Sequence, residues 1–145
     1  MISKRYDENP LLMPDKMNAW ESEATFNGCP VKEKNKVKLF YRAISAPRFT
    51  KGVNLELSTI GYAESDDGDT FYNRRQLIRP EYEWEQYGCE DPRVTKFNGK
   101  YYIFYTALSR YPFEPDGIKV GLGISKDLKK VEKYRVTTFN SKAMA

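Results

Sequence analysis

Histidine is absent from the 145-residue sequence. A Ser-His-Asp triad, a histidine general base and a histidine-rich metal site are therefore excluded for this stretch of chain. Any catalysis by these residues must use carboxylates, arginines, lysines or tyrosines.

Cysteine and long hydrophobic runs are scarce. Cys29 and Cys89 are the two cysteines, and we expect both to be reduced thiols that act as small core fillers. No apolar run approaches the roughly 18 residues that span a bilayer, and the first eight residues lack the apolar segment of a secretory signal. We therefore expect a cytoplasmic protein with no membrane partner and no metal site.

Charge of one sign is not concentrated either. The formal net charge is +4. The densest basic stretch, residues 32–38, is interrupted by Glu33 and leads into an apolar segment. Such a stretch is typical of a solvated turn, so nucleic acid is not an expected partner.

Aromatic residues, at 14%, and apolar–polar alternation are the features present in abundance. The alternation predicts strands over residues 37–44, 55–63, 101–108, 118–125 and 134–138. Turn sequences separate these segments, among them Asp67-Gly68 and Asn98-Gly99. No long segment has helical periodicity, so the sequence predicts an all-β fold.

Two parts of the sequence resemble each other. Leu39–Ala43 resembles Ile103–Ala107 at an offset of 64 residues, and Gly61–Asp67 resembles Gly121–Asp127 at an offset of 60. Repeats of this length built from short antiparallel strands are typical of β-propeller blades. The alternative is the general likeness of any two hairpins.

The repeat sets the expected domain organisation. We expect residues 1–145 to form a single, partial β-propeller domain of about two to two and a half blades. The first blade is predicted at about residues 20–85, the second at about 86–138, and the start of a third at 139–145.

Residues 88–94 read Gly-Cys-Glu-Asp-Pro-Arg-Val and form the most unusual motif of the chain. Two adjacent carboxylates, Glu90 and Asp91, at the start of an apolar strand cost stability unless something binds there. One alternative is a salt bridge between Asp91 and Arg93 that fixes the end of the strand.

Several segments together resemble a known enzyme family. Residues 9–12, 26–31, 40–43, 88–94 and 123–128 resemble, in this order, the N-terminal half of glycoside hydrolase family 130. The resemblance implies a five-bladed β-propeller and the activity of β-mannoside phosphorylases, including those for β-1,4-mannosyl-glucose and mannooligosaccharides, or of related β-mannosidases. We expect the chain to be the N-terminal portion of a longer protein, or to be completed by partner chains in a homo-oligomer.

The resemblance also implies roles for particular residues. Asp91 corresponds to the family's general acid, and Asn27 to an asparagine that contacts the sugar whose bond is cleaved. Arg42 faces the same pocket, and Glu90 and Arg93 complete the expected substrate-binding set. Asn27 as a simple turn residue and Arg42 as a side chain extending to the rim are the alternatives. Some members carry tyrosine at the position of Glu90, which leaves its role open.

The implied chemistry needs one carboxylate and no cofactor. Ordinary glycosidases use two carboxylates, whereas in a phosphorylase inorganic phosphate is the nucleophile and inverts the anomeric centre. Asp91 supplies the proton, relayed in this family through a hydroxyl of the mannosyl ring. The expected ligands are therefore a β-mannoside oligosaccharide and phosphate, although the resemblance places most of the family's phosphate-binding arginines beyond residue 145. The alternatives are a hydrolase of the same family and a non-catalytic propeller that binds sugar or self-associates.

Overall fold

A computed structural model describes residues 4–136 of the chain. In this part the chain is all-β, with three short 3-10 helices at Ala19–Glu21, Glu83–Glu85 and Pro115–Gly117. The strands are β1 (Ala24–Glu33), β2 (Lys36–Ile44), β3 (Arg48–Thr50), β4 (Val53–Leu55), β5 (Ser58–Ser65), β6 (Tyr72–Ile78), β7 (Gly88–Phe97), β8 (Lys100–Leu108), β9 (Ile118–Ser125) and β10 (Glu132–Arg135). No helix in the described part is long and apolar enough to cross a membrane.

The strands form two successive antiparallel units. The first unit pairs β1, β2, β5 and β6 in that order, and the second pairs β7, β8, β9 and β10. A single parallel bridge between Ser58 and Gly88 joins them. The β3–β4 hairpin is a separate two-stranded sheet inserted between β2 and β5.

The main hydrophobic core lies between the two units. Phe40, Ile60 and Tyr62 of the first unit pack there with Ile103 and Tyr105 of the second. All five side chains are at most 1% exposed. Burying side chains of this size stabilises the fold by roughly 1.5–3 kcal/mol each. Because the buried side chains come from both units, this core holds the two units together.

The repeat predicted from the sequence is confirmed by equivalent contacts. In the first unit the Tyr41 hydroxyl donates to Glu21 Oε2 at 2.8 Å, and in the second Tyr105 donates to Glu85 Oε2 at 2.7 Å. Glu85 lies 64 residues after Glu21, and Tyr105 lies 64 residues after Tyr41. A tryptophan lies 6.2 Å from each tyrosine ring, and these are Trp20 and Trp84. The two tryptophans therefore pack on the core tyrosines of their own units.

Two predicted strands need correction. Residues 55–63 do not form one strand, because β4 ends at Leu55 and β5 begins at Ser58. The backbone of Leu57 instead bonds to Ser45, whose N–H donates to the Leu57 carbonyl at 3.2 Å. The last strand is Glu132–Arg135 rather than 134–138, and residues 137–145, including the predicted start of a third blade, lie outside the described residues.

Candidate active site

The site is built on two interruptions of regular strand pairing. In β1 the pairing shifts between Phe26 and Cys29, so that Asn27 and Gly28 together face Tyr41. In β7 it shifts between Glu90 and Arg93. Each is a β-bulge, in which two residues oppose one on the neighbouring strand and a side chain is redirected.

Asn27 and Asp91 are the first residues of the two bulges and share an uncommon backbone conformation. Their φ angles are 50° and 53°. Asparagine and aspartate adopt this left-handed region more readily than other non-glycine residues, because their short polar side chains bond locally. Pro92 follows Asp91 and disfavours the right-handed helical conformation there. The sequence thus specifies the bulge that directs the Asp91 carboxylate out of the sheet.

The two units meet at these bulges, where four polar side chains form one cluster. Asn27 Nδ2 donates to Asp91 Oδ1 at 2.6 Å. Arg42 Nη1 lies 3.5 Å from the same carboxylate oxygen, and its Nη2 lies 2.6 Å from Glu90 Oε1. The structure therefore brings together four of the five predicted site residues.

Arg42 is fixed by several contacts. Its Nε donates to Ser58 Oγ at 3.1 Å, and its guanidinium lies 5.0 Å from the centroid of the Phe26 ring. Neither Ser58 nor Phe26 was predicted as a site residue. The sequence signal for Phe26 was its position directly before Asn27, whereas its pairing with Arg42 across the β1–β2 ladder is seen only in the structure.

The cluster is partly covered and carries excess negative charge. The side chains of Arg42, Glu90 and Asp91 are 20%, 13% and 22% exposed. One guanidinium faces two carboxylates. Because Glu90 makes the shorter contact with Arg42, Asp91 is the more weakly paired acid and the better placed of the two to exchange a proton with a ligand.

Arg93 is the predicted residue that the geometry does not join to the cluster. Its Nη1 donates to the carbonyl of Pro92 at 2.9 Å. The cationic partner of Asp91 is Arg42, so the predicted alternative of a structural Asp91–Arg93 salt bridge is wrong. Arg93 as a substrate contact stays a prediction.

The cysteines beside the bulges make structural contacts. Cys29 Sγ accepts a bond from the Val94 N–H at 3.3 Å, which ties the two bulged strands together. Cys89 is fully buried and donates to Glu85 at 3.5 Å, and burial raises the pKa of its thiol well above the ordinary value. Both are free thiols, as predicted. Within residues 4–136 no group of three or more acidic or thiol side chains is arranged to hold a metal ion.

Comparison with known proteins assigns this arrangement to a family. The family model of glycoside hydrolase family 130, described as β-1,4-mannooligosaccharide phosphorylase, matches residues 3–143. The chain belongs to glycoside hydrolase family 130. The resemblance drawn from the sequence motifs is thereby confirmed, and the bulge cluster lies within the matched region.

Two relatives in the family come from Thermoanaerobacter sp. (strain X514). A β-1,2-mannobiose phosphorylase is 41% identical over 111 residues, which cover 70% of this chain and 36% of the relative. A 1,2-β-oligomannan phosphorylase is 35% identical over 127 residues, covering 86% of this chain and 42% of the relative. The chain thus spans about two fifths of the length of the curated relatives that it matches.

A solved structure of the family superimposes on most of the described chain. It is a member of the mannoside phosphorylase family reported as including glycoside hydrolases that target β-1,2 mannosidic linkages in Candida mannan. Its TM-score is 0.72 at 27% identity, and the match covers 90% of this chain and 39% of the other.

Proposed function

We propose that this chain contributes the general acid and part of the sugar pocket of an inverting β-mannoside phosphorylase. In this reaction inorganic phosphate attacks the anomeric carbon of the mannosyl unit, the glycosidic C–O bond breaks, and mannose 1-phosphate is released. Asp91 supplies the proton that the departing sugar oxygen takes up. The two phosphorylases among the relatives support this assignment.

The single observation that carries the proposal is the unequal pairing of the two acids. Glu90 is held by Arg42 at 2.6 Å, whereas Asp91 lies 3.5 Å from the same guanidinium and accepts from neutral Asn27. A hydrolase of the usual kind needs a second carboxylate to activate water. A phosphorylase does not, because phosphate is itself the nucleophile, so one available acid, Asp91, is all that the cluster needs to supply.

The names of the relatives favour one linkage. Both phosphorylases are named for β-1,2-linked mannosides, whereas the family model is described by β-1,4-mannooligosaccharides. We therefore propose β-1,2-mannobiose as the first substrate to test. Hydrolysis is the second candidate, supported by the solved glycoside hydrolases of the family that target β-1,2 linkages.

The two sheet units are, in this proposal, the first two blades of a five-bladed propeller. The equivalent tyrosine–glutamate bonds of the two units support this. A second support is an apolar surface of the second unit that is only partly covered. Phe40 and Tyr62 of the first unit are buried against the second unit. Their counterparts Phe104 and Leu122 pair with each other on the outer face of the second unit and are only partly covered. A further sheet unit, from a longer protein or from a second copy in a homo-oligomer, would cover them.

A chimera tests the function directly. Residues 3–136 of this chain would replace the matching segment of the Thermoanaerobacter β-1,2-mannobiose phosphorylase, which supplies the remainder of the fold. The chimera is expected to release mannose 1-phosphate from β-1,2-mannobiose only when phosphate is present. Asp91→Asn is expected to lower kcat by about 10²–10⁴-fold, the usual contribution of a general acid.

A surface variant provides the matched control. Asp7→Asn makes the same chemical change at a side chain that is 76% exposed and paired with Lys4, and it is expected to leave turnover unchanged. Equal rates in the Asp91→Asn and Asp7→Asn chimeras would contradict the role of Asp91. Mannose release without phosphate would favour the hydrolase.

A further inference from the structure

The guanidinium of Arg42 divides its contacts among three partners. Its Nε donates to Ser58 Oγ at 3.1 Å, its Nη2 lies 2.6 Å from Glu90 Oε1, and its Nη1 lies 3.5 Å from Asp91 Oδ1. An arginine beside a carboxylate frequently forms a bidentate pair instead, in which two of its nitrogens bond the same acid. The two acidic neighbours alone therefore do not explain how Arg42 is oriented.

Ser58 supplies the additional constraint. The guanidinium is planar and rigid, so a hydrogen bond at Nε also fixes the directions of both Nη groups. With Nε held by the Ser58 hydroxyl, one Nη group points at each acid. Release of Nε would let the group turn until both Nη groups bond a single carboxylate.

Ser58 is itself held firmly in the fold. It is the first residue of β5 and is 4% exposed. It also makes the parallel bridge to Gly88 that joins the two units. Gly88 precedes Glu90 by two residues in the same strand. The hydroxyl that holds Arg42 is therefore connected to the strand that carries both acids.

The second unit lacks both partners of the serine–arginine bond. Thr106 stands 64 residues after Arg42, and Ile118 takes the place of Ser58 as the first residue of β9. A buried hydroxyl costs stability unless it is hydrogen-bonded, and isoleucine at the equivalent position avoids that cost. The serine is thus present in the unit that has an arginine to hold and absent from the unit that has none.

We propose that Ser58 is a positioning residue, which holds Arg42 between Glu90 and Asp91 and so keeps the Asp91 carboxyl accessible for proton transfer. The catalytic part of this assignment rests on the proposed function. Without the hydroxyl, Arg42 is free to form a bidentate pair with either acid. A pair with Asp91 would occupy both of its oxygens, and a pair with Glu90 would withdraw the guanidinium from Asp91. Either change acts on the proton-transfer step rather than on sugar binding, so kcat should respond and KM should not.

The chimera with the Thermoanaerobacter phosphorylase tests the catalytic consequence. Ser58→Ala is expected to lower kcat about tenfold, because a hydrogen bond to a charged group is lost, and to leave KM within about twofold. Ser58→Cys has a side chain of similar size but offers only a weak acceptor, and it is expected to lower kcat as well.

Thr59→Val is the matched control. The neighbouring Thr59 hydroxyl is also buried, but it has no hydrogen-bond partner within the described residues. Valine has nearly the shape of threonine, so this variant removes a buried hydroxyl without removing a contact. Its kcat and KM are expected to equal those of the unsubstituted chimera.

A second measurement needs no turnover. NMR spectroscopy of this chain, labelled with isotopes, follows the exchange of the Arg42 Nε–H proton with water. In Ser58→Ala this exchange is expected to be about tenfold faster than in the wild-type chain, because the acceptor is lost. Arg48 is exposed, and exchange of its Nε–H, which serves as the internal reference, is expected to be the same in both chains.

The positioning role would be overturned if Ser58→Ala and Thr59→Val chimeras had the same kcat. Arg42 Nε–H exchange as slow in the Ser58→Ala chain as in the wild-type chain would overturn it too. The proposed function is judged separately, by phosphate-dependent turnover of the unsubstituted chimera. A chimera without turnover, together with faster Arg42 exchange in Ser58→Ala, would contradict the function while supporting Ser58 as the residue that orients Arg42.

Discussion

Asn27 and Asp91 occupy the same place in two copies of one structural unit, 64 residues apart. In both copies a bulge turns the side chain out of the sheet, toward the junction of the units. An amide in one copy and a carboxylic acid in the other give a neutral donor and a proton source at equivalent positions. The two units thus share the bulge that sets the geometry of the cluster. They differ in the side chain that the bulge carries, and the proposed function depends on that difference.

Gly61 and Gly121 are another equivalent pair, and each allows a core tyrosine to pack against the neighbouring strand. A Cβ at Gly61 would overlap the ring of Tyr41, and one at Gly121 the ring of Tyr105. We expect Gly61→Ala and Gly121→Ala each to lower the free energy of unfolding by about 1–3 kcal/mol. Urea denaturation followed by tryptophan fluorescence measures both.

Gly28→Ala is the control for these substitutions. Its Cβ would meet only the end of the flexible Leu39 side chain, at 3.0 Å, and we expect a loss below about 1 kcal/mol. A loss for Gly61→Ala no larger than that for Gly28→Ala would show that the tyrosine rings move aside.

Much of the candidate site could be predicted at this scale, from the motif at residues 88–94 and from the resemblance to the family. Asp91, Asn27 and Arg42 were identified, and all three lie in the cluster. The pairing of Arg42 with Glu90 could not be predicted, because it joins strands of two units through a bulge that alternation does not reveal. Asn98-Gly99, in contrast, is a turn that its sequence fully predicts, with φ angles of 46° and 73°.

Each unit contains a buried glutamate that connects a 3-10 helix to the sheet. Glu21 accepts from Tyr41 and from Arg74, whose Nη2 lies 2.6 Å away. Glu85 accepts from Tyr105 and from Lys133. Burial raises the pKa of the Tyr105 phenol, so this hydroxyl keeps its proton and remains a donor.

Removing the cation from either network should be costly. We expect Arg74→Met and Lys133→Met each to lower the free energy of unfolding by about 3–5 kcal/mol, because a fully buried carboxylate is left without its counter-charge. Arg79→Met serves as the control, since Arg79 is 68% exposed and 3.9 Å from Glu81, and its effect should be about 0–1 kcal/mol. Chemical denaturation curves compare the three. Equal losses in all three variants would mean that neither buried carboxylate depends on its cation.

The strands were predicted where alternation is uninterrupted and missed elsewhere. Ile118–Ser125 was predicted with its observed bounds, and 37–44 and 101–108 each to within one residue. β1 escaped prediction because its bulge breaks the period of two, and β6 because it contains adjacent arginines. The predicted strand over 55–63 was wrong, since Glu56 and Leu57 interrupt it and the Leu57 carbonyl accepts from the Ser45 N–H instead.

At the scale of the whole molecule, Glu33 links the two units at the end of the sheet away from the cluster. Its carboxylate lies 2.8 Å from Lys38 Nζ in the first unit and bonds Lys96 and Tyr101 in the second. The bond from Lys38, followed by those from Lys96 and Tyr101, lowers the pKa of Glu33 from 4.5 to about 2. Protonation of Glu33 should therefore loosen the junction of the units.

The sign of the pH dependence follows from the lowered pKa. Glu33 is charged in both states above about pH 5, where its stabilisation is complete, and this stabilisation is lost as the pH falls from 4.5 to about 2. We expect Glu33→Gln to lower the free energy of unfolding at pH 7 by about 1 kcal/mol, a modest value for a largely solvated network. The difference from the wild-type chain should shrink as the pH falls from 4.5 to about 2, and it should vanish below that pH.

Urea denaturation between pH 2 and pH 7 measures this effect. Glu23→Gln removes a more exposed partner, paired with Lys16 at 3.1 Å, and should change stability by less than about 0.5 kcal/mol at any pH. A Glu33→Gln curve parallel to the wild-type curve over the whole range would contradict the assigned role of Glu33.

The bulges of β1 and β7 hold site residues that take no part in the regular pairing of the sheet. Each bulge is one residue more than the ladder needs, since two residues stand opposite a single tyrosine. In terms of chain length, the positions of Asn27 and Asp91 in the candidate active site depend on one extra residue at the same point of each unit. Deleting that residue would restore regular pairing and leave the core unchanged. The polar residues at the bulges can therefore be exchanged without changing the strand pairing on either side of them.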